Sequence, residues 1–145
     1  MIAYFDTSMF VPLLIDEATT QECGSLWMRA SSKVATRLVH VEASSALERA
    51  RRAGRVSRKQ HDAAAARVEY YWQEIRVLEI DDLLMRRASE LASRFGLRSY
   101  DAVHCAAAES INDADLVAAS ADVQLLDAWH TLGLNTFSGA SSSNE

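Results

Sequence analysis

No stretch of this chain approaches the roughly 18 consecutive apolar residues of a membrane span, so no membrane association is expected. Its first residues lack a basic region followed by an apolar one, so no secretory signal is expected and a cytoplasmic location is. Cysteine is scarce: Cys23 and Cys105 lie far apart and fit no zinc spacing. Free thiols in a reducing compartment are the simplest expectation, with Cys105 a small core residue. Lys33 and Lys59 are the only lysines, and neither follows a strand end. Asp6 has no acidic neighbour, which argues against a phosphoacceptor receiver domain. Ser8 stands where an aspartate-nucleophile phosphatase would need a second aspartate. The net charge of -5 argues against a surface that grips nucleic acid all over, while leaving room for a local basic patch.

A chain of 145 residues with 49% apolar content suits one domain with a full core. Residues 2–6 read as a short buried strand. Thr7 or Ser8 is then positioned to cap a helix over 8–15, where Pro12 falls among the early positions that need no N–H partner. Helices are expected over 17–30, 39–53 and from 57, the last opened by a Ser57–Gln60 capping box. Further helices are expected over 82–95, 100–111 and 121–132, with Gly54, Gly96 and Gly133 as stops. Strands are expected at 33–38, 75–80, 115–119 and 134–137. Residues 138–145 are small and polar and read as a flexible tail, leaving 1–137 as a single unit. This alternation is the signature of an α/β sandwich with a mainly parallel sheet.

Four acids sit in apolar surroundings. Asp6 ends Ile2-Ala3-Tyr4-Phe5, Glu42 lies on the apolar stripe of its helix, Asp101 opens a helix apolar almost all round, and Asp122 follows Leu116-Val117-Ala118-Ala119. Carboxylates there are costly unless paired. No Lys or Arg recurs at a fixed offset from them, so the simplest shared partner is a divalent cation. Each acid has an ordinary alternative: Asp6, Asp101 and Asp122 as helix-start residues, Glu42 as a partly exposed helical glutamate. In a parallel sheet, however, Asp6 and Asp122 share the carboxyl edge, where ligands bind, and Glu42 and Asp101 lie near helix starts. Oxygen-only ligands favour Mg²⁺ or Mn²⁺ over zinc, and suit phosphoryl chemistry.

In order and spacing, Tyr4-Phe5-Asp6-Thr7-Ser8, Glu42-Ala43-Ser44-Ser45-Ala46-Leu47, Ser99-Tyr100-Asp101-Ala102-Val103-His104 and Ser120-Ala121-Asp122 resemble the PIN-domain family, in particular its VapC-type toxin ribonucleases. The resemblance runs from Tyr4 to Phe137. It implies a three-layer α/β/α fold and hydrolysis of single-stranded RNA by metal-activated water. It implies Asp6, Glu42, Asp101 and Asp122 as catalytic acids, with Asp6 and Asp101 the main metal ligands for Mg²⁺ or Mn²⁺. Thr7, Ser8 and Ser120 would support them, and Gln124, Asp127 or neither would extend the set. His104, one turn from Asp101, reads as a packed or supporting histidine rather than a ligand. The resemblance also implies a cognate antitoxin and a homodimer. The alternative is a catalytically silent PIN scaffold that binds RNA or protein.

An acidic pocket repels RNA, so a basic neighbourhood is needed. Arg49, Arg52 and Arg55 lie in a run from 49 to 59 that contains no acid. Arg49 is seven residues from Glu42 on the same helical face, about 10 Å along the axis. The three arginines are expected to contact RNA. Phe10, Trp27, Met28, Tyr71 and Trp72 are expected to be mostly core.

Overall fold

The computed structural model describes residues 1–139. Five strands, β1 (Ile2–Phe5), β2 (Ser32–Thr36), β3 (Ile75–Leu78), β4 (Leu116–Ala119) and β5 (Asn135–Phe137), form one sheet in the order β3-β2-β1-β4-β5. Every pairing is parallel. The helices are α1 (Thr7–Phe10), α2 (Thr20–Arg29), α3 (Leu38–Arg52), α4 (Arg58–Trp72), α5 (Asp82–Phe95), α6 (Ser99–Ile111) and α7 (Val123–Thr131). None of these described helices is long and apolar enough to cross a membrane.

Successive side chains of a strand point to opposite faces, and β1 uses both. Ala3 and Phe5 pack with apolar residues of α1 to α4, while Tyr4 packs with those of α5, α6 and α7. The sheet is therefore covered on both faces, the three-layer α/β/α arrangement expected. Burial on both faces also explains why β1 and β4 read as unbroken apolar runs. Strand order runs outward from β1 in both directions, through β2 to β3 and through β4 to β5. The carboxyl ends of β1 and β4 thus form the switch point of the sheet, where crevices open in such folds.

Several local expectations are met by visible chemistry. Ser57 and Gln60 make a reciprocal capping box on α4. Gly54 and Gly96 take left-handed backbone angles (φ 75° and 66°) at the ends of α3 and α5, where a side chain would be strained.

Other expectations need correction. The helix over 8–15 is a single α-turn, α1, followed by a 3-10 turn at Val11–Leu13 that carries Pro12. Its cap is Asp6, not Thr7 or Ser8: the Asp6 carboxylate accepts the Met9 N–H at 3.1 Å. Asp122 likewise caps α7 by accepting from Leu125 N–H, rather than lying inside the first turn. Met28 is 82% exposed, because the inward face of α2 is filled by Cys23, Leu26 and Trp27. The tail proposed for 138–145 lies mostly outside the described residues. Its first part is not loose, since Gly139 is buried and a side chain there would meet the Met9 sulfur at 3.2 Å.

Candidate active site

Asp6 directly follows β1, and its N–H bonds to the Ala119 carbonyl, extending the β1–β4 ladder by one step. That step sets Asp6 beside Ser120. Its carboxylate is 4% exposed and well supplied with donors. Oδ1 accepts from Ser8 Oγ at 2.6 Å and from the Met9 amide, and Oδ2 accepts a short bond from Ser120 Oγ. Ser8 Oγ also accepts from the Ala121 amide, and Ser120 Oγ from the Asp122 amide. The two serines therefore stitch the end of β1 to the start of α7. Burial pushes the Asp6 carboxyl above its ordinary range, against the opposing pull of the His104 imidazole and of these hydrogen bonds.

Glu42 projects from the second turn of α3. Its Oε1 accepts from Thr7 Oγ1 at 2.9 Å and meets His104 Nε2 at 2.9 Å. Burial pushes this carboxyl up, but the His104 hydrogen bond, with Thr7 and Arg49, holds it below its ordinary value. Two carboxyls on one edge are thus shifted in opposite directions by their surroundings.

Asp101 sits in the first turn of α6, and Asp122 caps α7. Arg98 reaches between them, with Nε 3.5 Å from Asp101 Oδ2 and Nη2 3.9 Å from Asp122 Oδ2. Burial and then the Asp122 charge raise the Asp101 carboxyl, and Arg98 offsets part of that rise. Sequence reasoning missed Arg98. The available signal was its place three residues before Asp101, within reach on a helix start.

The four acids therefore converge on the switch point, linked through Ser120, Thr7, His104 and Arg98. They do not close into a ready-made cage: among the described residues no three acidic, histidine or cysteine side chains are grouped as ion ligands. Asp6, Glu42 and Asp122 are instead each engaged by protein hydrogen-bond donors, and Asp101 by the Arg98 ion pair. Enough capacity remains for a hard cation, however. A carboxylate has about four lone-pair sites. Asp6 spends three, and both hydrogen bonds to Glu42 end on Oε1, leaving Oε2 outside them. Mg²⁺ needs only one or two direct carboxylates and keeps several waters, so the donor set fits it. Gln124 does not extend the set, because its amide donates to the Gly96 carbonyl at 3.1 Å. Asp127 is exposed farther along α7.

The three arginines do not line one cleft. Arg49 lines a cleft of about 340 Å³ with Thr7, Glu42, Ser45 and Tyr100. Arg52 is held by Glu48 at 2.9 Å, and Arg51 and Arg52 together hold that carboxyl down at about 2. Arg55 lines a separate cavity with Asp16, Gln60 and Arg67. The run from 49 to 59 holds no acid, but Glu48 just outside it partly neutralises it.

Comparison with known proteins identifies the family. The pattern of the PIN domain matches residues 3–128. Ribonuclease VapC45 and Ribonuclease VapC49, from two strains of Mycobacterium tuberculosis, are each 32% identical over 132 residues, spanning 91% of this chain and 92% of theirs. In structure, VapBC2 from Rickettsia felis, solved bound to a DNA fragment from its promoter, superposes with a TM-score of 0.67 at 10% identity, covering 94% of this chain and 98% of that one. That likeness is one of fold. With the family pattern and near full-length relatives in agreement, this chain belongs to the PIN domain family.

Proposed function

We propose that this chain is a Mg²⁺-dependent endoribonuclease, the toxin of a toxin–antitoxin pair, that hydrolyses phosphodiester bonds in single-stranded RNA. The observation that carries this reading is the convergence of Asp6, Glu42, Asp101 and Asp122 on the carboxyl edge between β1 and β4. Relatives named as ribonucleases support the substrate class, and the VapBC likeness supports an antitoxin partner. A homodimer and a cytoplasmic location complete the reading. Mn²⁺ is the alternative ion.

Asp6 and Asp101 would hold the ion, which when bound supplies an acidified water and neutralises phosphate charge. The chain's own residues do the rest. Ser8, Ser120 and the Met9 amide hold the Asp6 carboxylate in one orientation. Asp122 adds negative charge beside Asp101 and is held in place by the Leu125 amide. Glu42, kept ionised by His104 and Thr7, presents Oε2 to accept a proton from attacking water. Arg49, in the same cleft, is placed to bind a phosphate of the bound strand.

The test is cleavage of defined RNAs by wild type and Asp6→Asn, with and without Mg²⁺. Cleavage by wild type with Mg²⁺ alone is expected, and an equally active Asn variant refutes the mechanism. One observation favours the silent-scaffold reading: the carboxylates are not already gathered around an ion position. Millimolar Mn²⁺ separates the two, since an ion that binds only the folded state raises the melting temperature. No shift would favour the scaffold.

A further inference from the structure

His104 is 2% exposed, and both of its ring nitrogens are engaged. Nδ1 lies 2.7 Å from the Tyr4 hydroxyl, and Nε2 lies 2.9 Å from Glu42 Oε1. Tyr4 is fully buried in the middle of the sheet, with its ring edge-on to His104 and Trp129. A carboxylate only accepts hydrogen bonds, so the nitrogen facing Glu42 carries a proton. In the neutral ring the other nitrogen is then bare and accepts a hydrogen bond from the phenol. We propose that Tyr4 and His104 form a strut of fixed tautomer that positions Glu42, with Tyr4 Oη–H donating to Nδ1 and Nε2–H donating to Glu42.

The strut rests on the nuclease reading above and deepens it. Trp129 and the sheet prevent the phenol from turning away, and the phenol fixes the plane of the imidazole. The imidazole and Thr7 then converge on one Glu42 oxygen, so the other is the one directed to chemistry. His104 and Tyr4 are positioning residues: they act on the reaction only through Glu42. The motif begins in the centre of β1 and ends on α3, and so couples the sheet core to the site.

Two measurements test this on the full chain. The first is long-range ¹H–¹⁵N NMR of the histidine rings in EDTA. His104 is expected as the Nε2–H tautomer, and in Tyr4→Phe the Nδ1 resonance moves as it loses its donor while Nε2–H persists. A wild-type Nδ1–H tautomer, or a ring protonated on both nitrogens, overturns the strut. The second is RNA cleavage by His104→Leu and His104→Gln, both checked for folding by thermal melting. Losing a partner of this kind typically costs about 10- to 100-fold, here expected in kcat for the Leu variant with KM little changed. Gln can place an N–H where Nε2 stood, so it is expected to recover most of that loss. Equal impairment of two folded variants overturns the proposal. A wild type that cuts no RNA with any metal refutes the nuclease reading instead, and the NMR result still decides the strut.

Discussion

Replacing Arg98 with alanine should tighten Mn²⁺ binding. The guanidinium stands 3.5 Å from Asp101 and 3.9 Å from Asp122, where it offsets their mutual repulsion. At the dielectric of water, each contact is worth about 1 kcal/mol. The Arg98 side chain is 84% exposed, so solvent screens it, and exposed pairs measure roughly 0.2–1 kcal/mol. A dication bound by Asp101 would share these carboxylates with Arg98, and the two cations would oppose each other. Removing Arg98 therefore lowers the Kd for Mn²⁺ by roughly two- to fivefold, the equivalent of about 0.5–1 kcal/mol. Without metal the variant should be slightly less stable, because the Asp101–Asp122 repulsion is then less compensated. Calorimetric titration with Mn²⁺ at low salt measures the effect. The gap between variant and wild type should narrow as salt rises, since the screening length falls from about 30 Å at 0.01 M to about 8 Å at 0.15 M. Equal or weaker binding by the variant at low salt would refute the competition.

Two other outcomes follow from the same geometry. In an Asp6→Asn background that cannot cut, Arg49→Gln should weaken RNA binding and reduce the salt slope by about 0.7 for a single-stranded ligand, whereas Arg52→Gln, whose guanidinium is already held by Glu48, should change little. Anisotropy titrations at several salt concentrations check this, and equal effects from the two would count against Arg49 as the phosphate contact. Asp101→Asn should change the pH dependence of stability in EDTA. The folded state raises this carboxyl, so it binds the proton more tightly than the unfolded chain, and its contribution is greatest below about pH 4 and lost as pH rises through the raised value. The melting temperature of the Asn variant relative to wild type should therefore climb between pH 4 and 7, and a flat difference would show that the shift is absent. Glu42, held low, works in the opposite sense, stabilising above its unfolded value and losing that contribution as pH falls.

Much of the fold was legible because its causes are local. The capping box of α4 needs only Ser57 and Gln60, and the stops at Gly54 and Gly96 need only a residue that tolerates positive φ. The start of α1 was misread because Asp6, Thr7 and Ser8 are all good caps, and local chemistry does not choose among them. The choice falls to Asp6 because its backbone extends the β1–β4 ladder, which leaves its side chain over the first turn of α1. The arginines expected to contact RNA are separated for a similar reason. Residues in one short run point in different directions around a helix end, so Arg49 reaches the cleft of Glu42 while Arg55 reaches another cavity.

Sequence alone determined where most helices and strands lie, and that four carboxylates would sit in or beside apolar segments. Those properties depend on neighbours within a few residues, through periodicity, caps and left-handed turns. Tertiary structure alone decided what each carboxylate meets. The order β3-β2-β1-β4-β5 sets Asp6 against Ser120, the packing of α6 over Tyr4 and toward α3 brings His104 to Glu42, and the approach of α6 to α7 gives Arg98 both Asp101 and Asp122. Apart from Arg98 and Asp101, three positions apart, these partners are distant in sequence, up to 114 positions, so no local pattern encodes them. They exist because burying both faces of one parallel sheet leaves few ways for the strand ends and helix starts to meet.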